Sequence, residues 1–344
     1  MRLVDVVLPA GVDDPTTPSG GNAYDRRVCR GLAAAGWSVR EHPVPGAWPH
    51  PTPADRAALA GVLTALPDGA TVLLDGLVAS VAPEVLAPQA GRLRLVVLVH
   101  MAFGDDTEGR ALAAATAVVT TSDWTRDLLH DRYALPTGRV HVARPGVDPA
   151  PLAPGSPTGS ALLCVAAVAP HKGHDVLVEA LTGVTGAPWS CVCVGALTRA
   201  PEFVDRLRGR ITAAGLADRV RLAGPLTGAE LDAAYAAADL LILPSRGETY
   251  GMVVTEALAR GVPVLASDVG GLPEALGRAP DGRLPGVLVP PGEPDALAGA
   301  LRDWLGDAGL RAALRAAARA RRTTLTDWTT TSAALADALT KAAA

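Results

Sequence analysis

Apolar, β-branched runs of strand length recur along this chain. They are separated by stretches in which the apolar residues return every three or four positions. Leu3–Leu8, Val72–Leu74, Leu93–Val99 and Ala117–Thr120 read as strands in the first half, and Ala161–Val168, Cys191–Val194, Val220–Leu222, Leu240–Leu243, Pro263–Ala266 and Gly286–Val289 in the second. Helical periodicity marks Asp25–Ala35, Thr125–Arg132, Asp175–Leu181 and Pro201–Ala214. Near-continuous apolar strands alternating with helices predict parallel sheets covered on both faces, an α/β architecture. Asp148–Gly159 is rich in Pro, Gly and Ser and reads as a linker. It separates a domain at 1–150 from one at 158–325, each with its own strand–helix alternation. Two doubly wound domains facing an interdomain cleft at their strand C-terminal ends are expected. Pro43–Pro53 reads as a surface loop.

Composition narrows the classes. The 344 residues are 49% hydrophobic but only 3% aromatic, so the cores are built of Ala, Val and Leu. A net charge of -4 argues against nucleic acid as a partner. No apolar run reaches the roughly 18 residues of a membrane span. Asp5 interrupts the first apolar stretch, which reads as a buried strand rather than a signal-peptide core. A cytoplasmic protein without membrane association is expected. Cys29, Cys164, Cys191 and Cys193 read as small, unpaired core residues. His171-Lys172-Gly173-His174 has no cysteine or carboxylate companion at ligand spacing, so no zinc is expected. The Ala- and Arg-rich helix at Arg311–Arg322 reads as a solvated face.

Four segments carry candidate chemistry. Strand Leu240–Leu243 runs into Pro244-Ser245-Arg246-Gly247-Glu248-Thr249-Tyr250-Gly251, with a helix expected from Thr249 or Tyr250. Glu248 then stands at the helix mouth and Glu256 about 12 Å further along the axis. Between them lie first-turn amides without intrahelical partners, a setting for an anion flanked by two carboxylates. Two glutamates near a helix start are also common for solubility alone. Lys172 follows the strand beginning at Ala161, where it can neutralise phosphate or be an exposed turn lysine. Gly20-Gly21 precede a helix, where paired glycines let the backbone approach a ligand or make an ordinary turn. His100 ends a buried strand, at the edge where α/β proteins bind ligands.

Taken together, these residues resemble the retaining glycosyltransferases of family 4, which have the GT-B fold. Glu248 and Glu256 match the paired glutamates within Pro-Ser-x-x-Glu-x-x-Gly, and Lys172-Gly173 match the Lys-Gly of the second domain. Arg139–Val142 with Pro145–Asp148, Gly270-Gly271 with Glu274, Gly20-Gly21, His100 and Trp328 match further stretches in the right order. The resemblance implies a terminal helix, about 326–344, crossing back to the first domain. It implies a metal-independent transferase with no cofactor, taking a nucleoside-diphosphate sugar and a small-molecule or glycan acceptor. Glu256 would accept from the ribose hydroxyls. Lys172, Gly20 and Gly21 would balance the diphosphate. Glu248 with the Thr249, Tyr250 and Gly251 amides would orient the sugar, and His100 would contact it near the reacting carbon. The pattern departs at Ala167, where the family carries a diphosphate arginine; Arg246 and Arg144 are the candidates to replace it. No Asp-x-Asp occurs, consistent with a metal-free site, and no Gly-x-Gly, which argues against a nicotinamide oxidoreductase. The same fold also leaves open a sugar-nucleotide epimerase or phosphorylase, or a non-catalytic sugar-nucleotide binder.

Overall fold

The computed structural model describes residues 2–343. The chain forms two compact units, one of residues 1–13, 20–146 and 326–344, the other of residues 14–19 and 147–325.

The first unit is built on six parallel strands: β1 (Arg2–Pro9), β2 (Trp37–Val44), β3 (Thr71–Asp75), β4 (Arg94–Val99), β5 (Ala117–Thr120) and β6 (Val140–Val142). Their spatial order is β2-β1-β3-β4-β5-β6. Strands β3 and β5 are buried at every position because both faces are covered. Leu59, Leu63, Leu86 and Leu112 from helices pack on Leu74, Leu95 and Val97 of the sheet. The terminal helix Trp328–Ala343 belongs to this unit and lies beside the helix Gly20–Ala34.

The second unit repeats the plan with β7 (Ala161–Val165), β8 (Ser190–Val194), β9 (Val220–Gly224), β10 (Leu240–Leu243), β11 (Val264–Ser267) and β12 (Gly286–Val289). The order β12-β11-β10-β7-β8-β9 reverses direction between β7 and β10. Successive side chains of a strand point to opposite faces. Thus Leu240 and Ile242 join one core with Leu162, Cys164 and Leu177, while Leu241 and Leu243 join another with Val254 and Leu258.

Several expectations change. Strands β2 and β6 were not anticipated. Both lie at the sheet's edges, and β2 reads Trp-Ser-Val-Arg-Glu-His-Pro-Val with only its ends buried, so it lacks the continuous apolar signature. Strand β7 stops at Val165, three residues before the apolar run ends. The arginines of helix Ala308–Arg321 are not simply solvated. Arg315 pairs with Asp239, whose buried carboxylate also accepts from the Ser156 N–H at 2.5 Å and the Ala161 N–H at 2.9 Å. Arg311 donates to the carbonyls of Trp304 and Leu305. The four cysteines are buried and free. The sheet nevertheless brings Cys164 and Cys193 to His174, companions that chain spacing does not reveal. None of the described helices is long and apolar enough to cross a membrane.

Candidate functional site

In the second unit the candidate residues collect at the point where strand order reverses. Loops leaving neighbouring strands in opposite directions open a crevice there. The loop after β7 carries a short turn, Pro170–Lys172, ending at Gly173 with φ of 70°. A Cβ at Gly173 would lie 1.9 Å from the Pro244 carbonyl oxygen, so only glycine lets this turn press against the end of β10. The contact is reinforced by the Arg246 N–H, which donates to the His171 carbonyl at 2.8 Å. As a result Lys172 Nζ reaches Glu248 Oε1 at 2.6 Å, and Ser245 Oγ donates to the same oxygen at 2.9 Å.

The helix after β10 is Met252–Ala259, shorter than expected at its start. Gly251, at φ of 92°, precedes it, so Glu248 and the Thr249–Gly251 amides lie in the loop and not in the first helical turn. The Gly270-Gly271 turn supports this loop, with the Gly271 N–H donating to the Glu248 carbonyl at 2.9 Å. Tyr250 is buried in the core with Leu243 and Leu272, which leaves only its backbone for a ligand. Glu256 is half-buried inside the helix, and its Oε2 accepts from the Tyr235 hydroxyl at 2.7 Å. Arg260 stacks over the Tyr235 ring at 4.6 Å from its centroid. Burial raises the Glu256 carboxyl above its ordinary range, opposed by the Tyr235 hydrogen bond and by Arg260. Arg246 is engaged elsewhere: its guanidinium forks onto Asp175, with both N···O distances 2.8 Å. Arg144 pairs with Asp123. The structure thus places both replacement arginines in ion pairs.

In the first unit, Gly20 and Gly21 open the helix rather than precede it, so their amides belong to its unpaired first turn. His100 follows β4, and a side chain at Gly21 would meet its ring at 3.4 Å. The Tyr24 ring stands edge-on to His100 at 5.1 Å and to Trp328 at 5.7 Å. His100 Nε2 lies 2.7 Å from Asp25 Oδ1, and Asp75 completes a cluster with them. Neither aspartate was anticipated as part of a site, nor were Ser245 and Tyr235. Asp75 had a signal: it ends a wholly apolar strand, as His100 does. Asp25 had none beyond its place near a helix start.

A lysine and a carboxylate at one loop junction, with a second carboxylate on the following helix, can receive a ligand bearing both phosphate and hydroxyls. Residues 155–321 match the model of the family described as "Glycosyl transferases group 1". The chain is 34% identical over 248 residues to a D-inositol 3-phosphate glycosyltransferase of Jonesia denitrificans, covering 64% of this chain and 58% of that protein. It is 35% identical over 239 residues to the enzyme of that name from Kineococcus radiotolerans, covering 62% and 55%. The match therefore spans little more than half the length of these curated relatives. Among solved structures, a sucrose-phosphate synthase from Thermosynechococcus elongatus superimposes with a TM-score of 0.77 at 22% identity over 98% of both chains. Anabaena HepE, in complex with UDP-glucose, superimposes with a TM-score of 0.79 at 19% identity over 99% of this chain and 100% of that one. These likenesses show the fold, a two-domain α/β architecture of the GT-B type.

Proposed function

We propose that this chain is a retaining, metal-independent glycosyltransferase that moves a sugar from a nucleoside-diphosphate sugar to a small-molecule or glycan acceptor. The observation that carries this reading is the junction of Lys172, Glu248 and Ser245 where strand order reverses, with half-buried Glu256 on the next helix. In the second unit Glu256 accepts from ribose hydroxyls, Lys172 meets the diphosphate, and Glu248 with the Thr249–Gly251 backbone orients the sugar. In the first unit Gly20 and Gly21 offer amides to the diphosphate, and His100 is the candidate for contact with the sugar.

The chemistry asks little of side chains as acids or bases. The bond from the anomeric carbon to the phosphate oxygen breaks, and the bond to the acceptor oxygen forms on the same face. The departing phosphate oxygen takes the acceptor's proton, so no dedicated base is needed. Rate enhancement comes from orientation and from cationic and amide stabilisation of the leaving phosphate. Lys172 supplies the positive charge that a metal ion supplies in enzymes with Asp-x-Asp. The UDP-glucose in the HepE structure makes a UDP-sugar the first donor to test. The relatives' name makes a polyol phosphate the first acceptor.

Incubation with UDP-glucose and other nucleotide-sugars, with polyol phosphates as acceptors, tests the reading. Proton NMR of the product should show the donor's anomeric configuration retained. An inverted product would reject the retaining chemistry. Nucleotide binding without transfer to any acceptor would favour the non-catalytic alternative.

A further inference from the structure

Two buried carboxyls in the first unit have no part in the chemistry above, yet they stand beside His100. Asp25 lies on the helix after β1, Asp75 ends β3 and His100 follows β4. All three therefore sit at the carboxyl edge of the sheet, flanking the β1–β3 junction where its strand order reverses. One ligand-capable atom from each lies within 4.8 Å of the others. Packing sets this placement: a Cβ on Gly76 would come within 2.8 Å of the Leu98 carbonyl oxygen, so the turn after Asp75 is pressed against the end of β4.

Each carboxyl engages one oxygen and leaves the other unmatched. Asp25 Oδ1 meets His100 Nε2 at 2.7 Å, and Asp75 Oδ1 accepts the Leu77 N–H at 2.5 Å. A carboxylate oxygen of Asp25 lies within 4.8 Å of one of Asp75. Asp25 Oδ2 and Asp75 Oδ2 are each buried without a hydrogen-bond partner. Two carboxylates this close in an apolar interior do not both ionise, and one proton held by the pair relieves their repulsion.

We propose that Asp25 and Asp75 share one proton and, through Asp25 Oδ1, hold His100 as the neutral Nε2–H tautomer. Both aspartates are positioning residues for that imidazole, an inference that rests on His100 taking part in recognition as read above. The pair then carries a single negative charge. Nε2 donates to Asp25, and Nδ1 is the acceptor nitrogen. An imidazole in this state recognises a hydroxyl, whereas an imidazolium, a donor at both nitrogens, would prefer a phosphate oxygen. The aspartate pair thereby keeps His100 from presenting an imidazolium to a phosphate oxygen. Burial disfavours the charged form of each member: it lifts Asp25 to about 7, lifts Asp75 well above the carboxylate range and lowers His100. Tyr24 and Cys29 on the same helix are kept neutral by burial, and Arg26 is the nearby fixed charge.

The test is NMR of the full chain labelled with ¹⁵N in histidine and ¹³C at the aspartate carboxyls. His100 is assigned by its loss in His100→Gln, and the pair by Asp75→Asn. At about pH 7 the expected result is a neutral His100 protonated at Nε2, with one aspartate pair retaining a proton after the other aspartates have ionised near their ordinary values. Asp75→Asn, whose amide supplies a permanent N–H, should preserve the His100 pattern. Asp75→Ala should lose it to mixed tautomers or an imidazolium. An imidazolium or an Nδ1–H tautomer in the wild type would overturn the proposal, as would ionisation of every aspartate by about pH 5. The wild-type spectra decide even if Asp75→Ala does not fold. No substrate is used, so failure to transfer sugar would count against the glycosyltransferase reading and not against the shared proton.

Discussion

Lys172 Nζ lies 2.6 Å from Glu248 Oε1, joining residues 76 positions apart across the reversal point of the second sheet. The pair is mostly enclosed, with 21% of the lysine side chain and 11% of the glutamate exposed. Each group satisfies the other until a ligand arrives. An incoming phosphate would then compete with Glu248 for the ammonium, and sugar hydroxyls would compete with Lys172 for the carboxylate.

Replacing the lysine therefore has two consequences. Lys172→Ala should weaken nucleoside-diphosphate binding by a charge-assisted hydrogen bond, roughly 1.5–3 kcal/mol or about 10–150-fold in Kd. It also leaves Glu248 half-satisfied, which should lower the melting temperature. Titration calorimetry with UDP and GDP alongside thermal unfolding separates the two. Unchanged affinity for every nucleotide that the wild type binds would take Lys172 out of the site.

Glu256→Gln keeps the shape of the side chain, and an acceptor for the Tyr235 hydroxyl, but makes a poorer partner for two vicinal hydroxyls. Nucleotide affinity should fall by a similar roughly 1.5–3 kcal/mol, while unfolding changes little. The same calorimetry checks it. A loss of stability with affinity intact would assign Glu256 to holding Tyr235 and Arg260 in place instead.

Transfer should continue in excess EDTA, because Lys172 and backbone amides are the groups assigned to the diphosphate. Turnover that stops in EDTA and returns with Mn²⁺ or Mg²⁺ would reject that assignment.

The shared proton predicts an effect on stability with a definite sign. Asp25 is raised from 3.8 to about 7 by burial, and Asp75 is raised as well. Between those values the unfolded chain releases a proton that the folded chain keeps. Stability should therefore fall as pH rises through this window, by at most about 1.4 kcal/mol per pH unit, and level off above it. His100, depressed from 6.5 by burial, acts oppositely, losing stability as pH falls below that value. Asp75→Asn removes one of the two titrating carboxyls, so the first slope should change while the second remains. Urea unfolding at steps between about pH 4 and 8 would show it; parallel curves for both proteins would contradict the shared proton.

Asp239 offers a check on the second unit's architecture. Its carboxylate holds the Ser156 hydroxyl at 2.6 Å as well as the Ser156 and Ala161 N–H groups and Arg315. Asp239→Ala removes the partner of all four and leaves the largely buried Arg315 guanidinium without a counter-charge, with only the Ser156 carbonyl still accepting from it at 3.0 Å. A loss of about 3–5 kcal/mol in chemical unfolding is expected. A change below about 0.5 kcal/mol would mean the chain entering β7 is held by other contacts.

The pattern of apolar runs was enough to reveal parallel sheets, because a central strand covered on both faces must be apolar at nearly every position. Hence β1, β3, β4, β5, β7, β8, β10 and β11 were legible, as were the short apolar runs of the edge strands β9 and β12, and the loops after β4, β7 and β10 could be recognised as the places for His100, Lys172 and Glu248. Edge strands β2 and β6 escaped the same reasoning, since an edge pairs on one side and tolerates charge and alternation. The first turn of the helix after β10 was misplaced because Gly251 adopts a left-handed conformation that the packing of Gly270-Gly271 and Leu272 imposes. What no local pattern could disclose is which strand ends become neighbours. Lys172 meets Glu248, and Asp25 meets His100 across 75 residues, only because strand order puts β7 beside β10 and runs β1, β3, β4 side by side. Periodicity records how deeply each residue is buried. Strand order is decided when whole sheets and helices pack, and that order turns a buried aspartate near a helix start into the partner of a histidine.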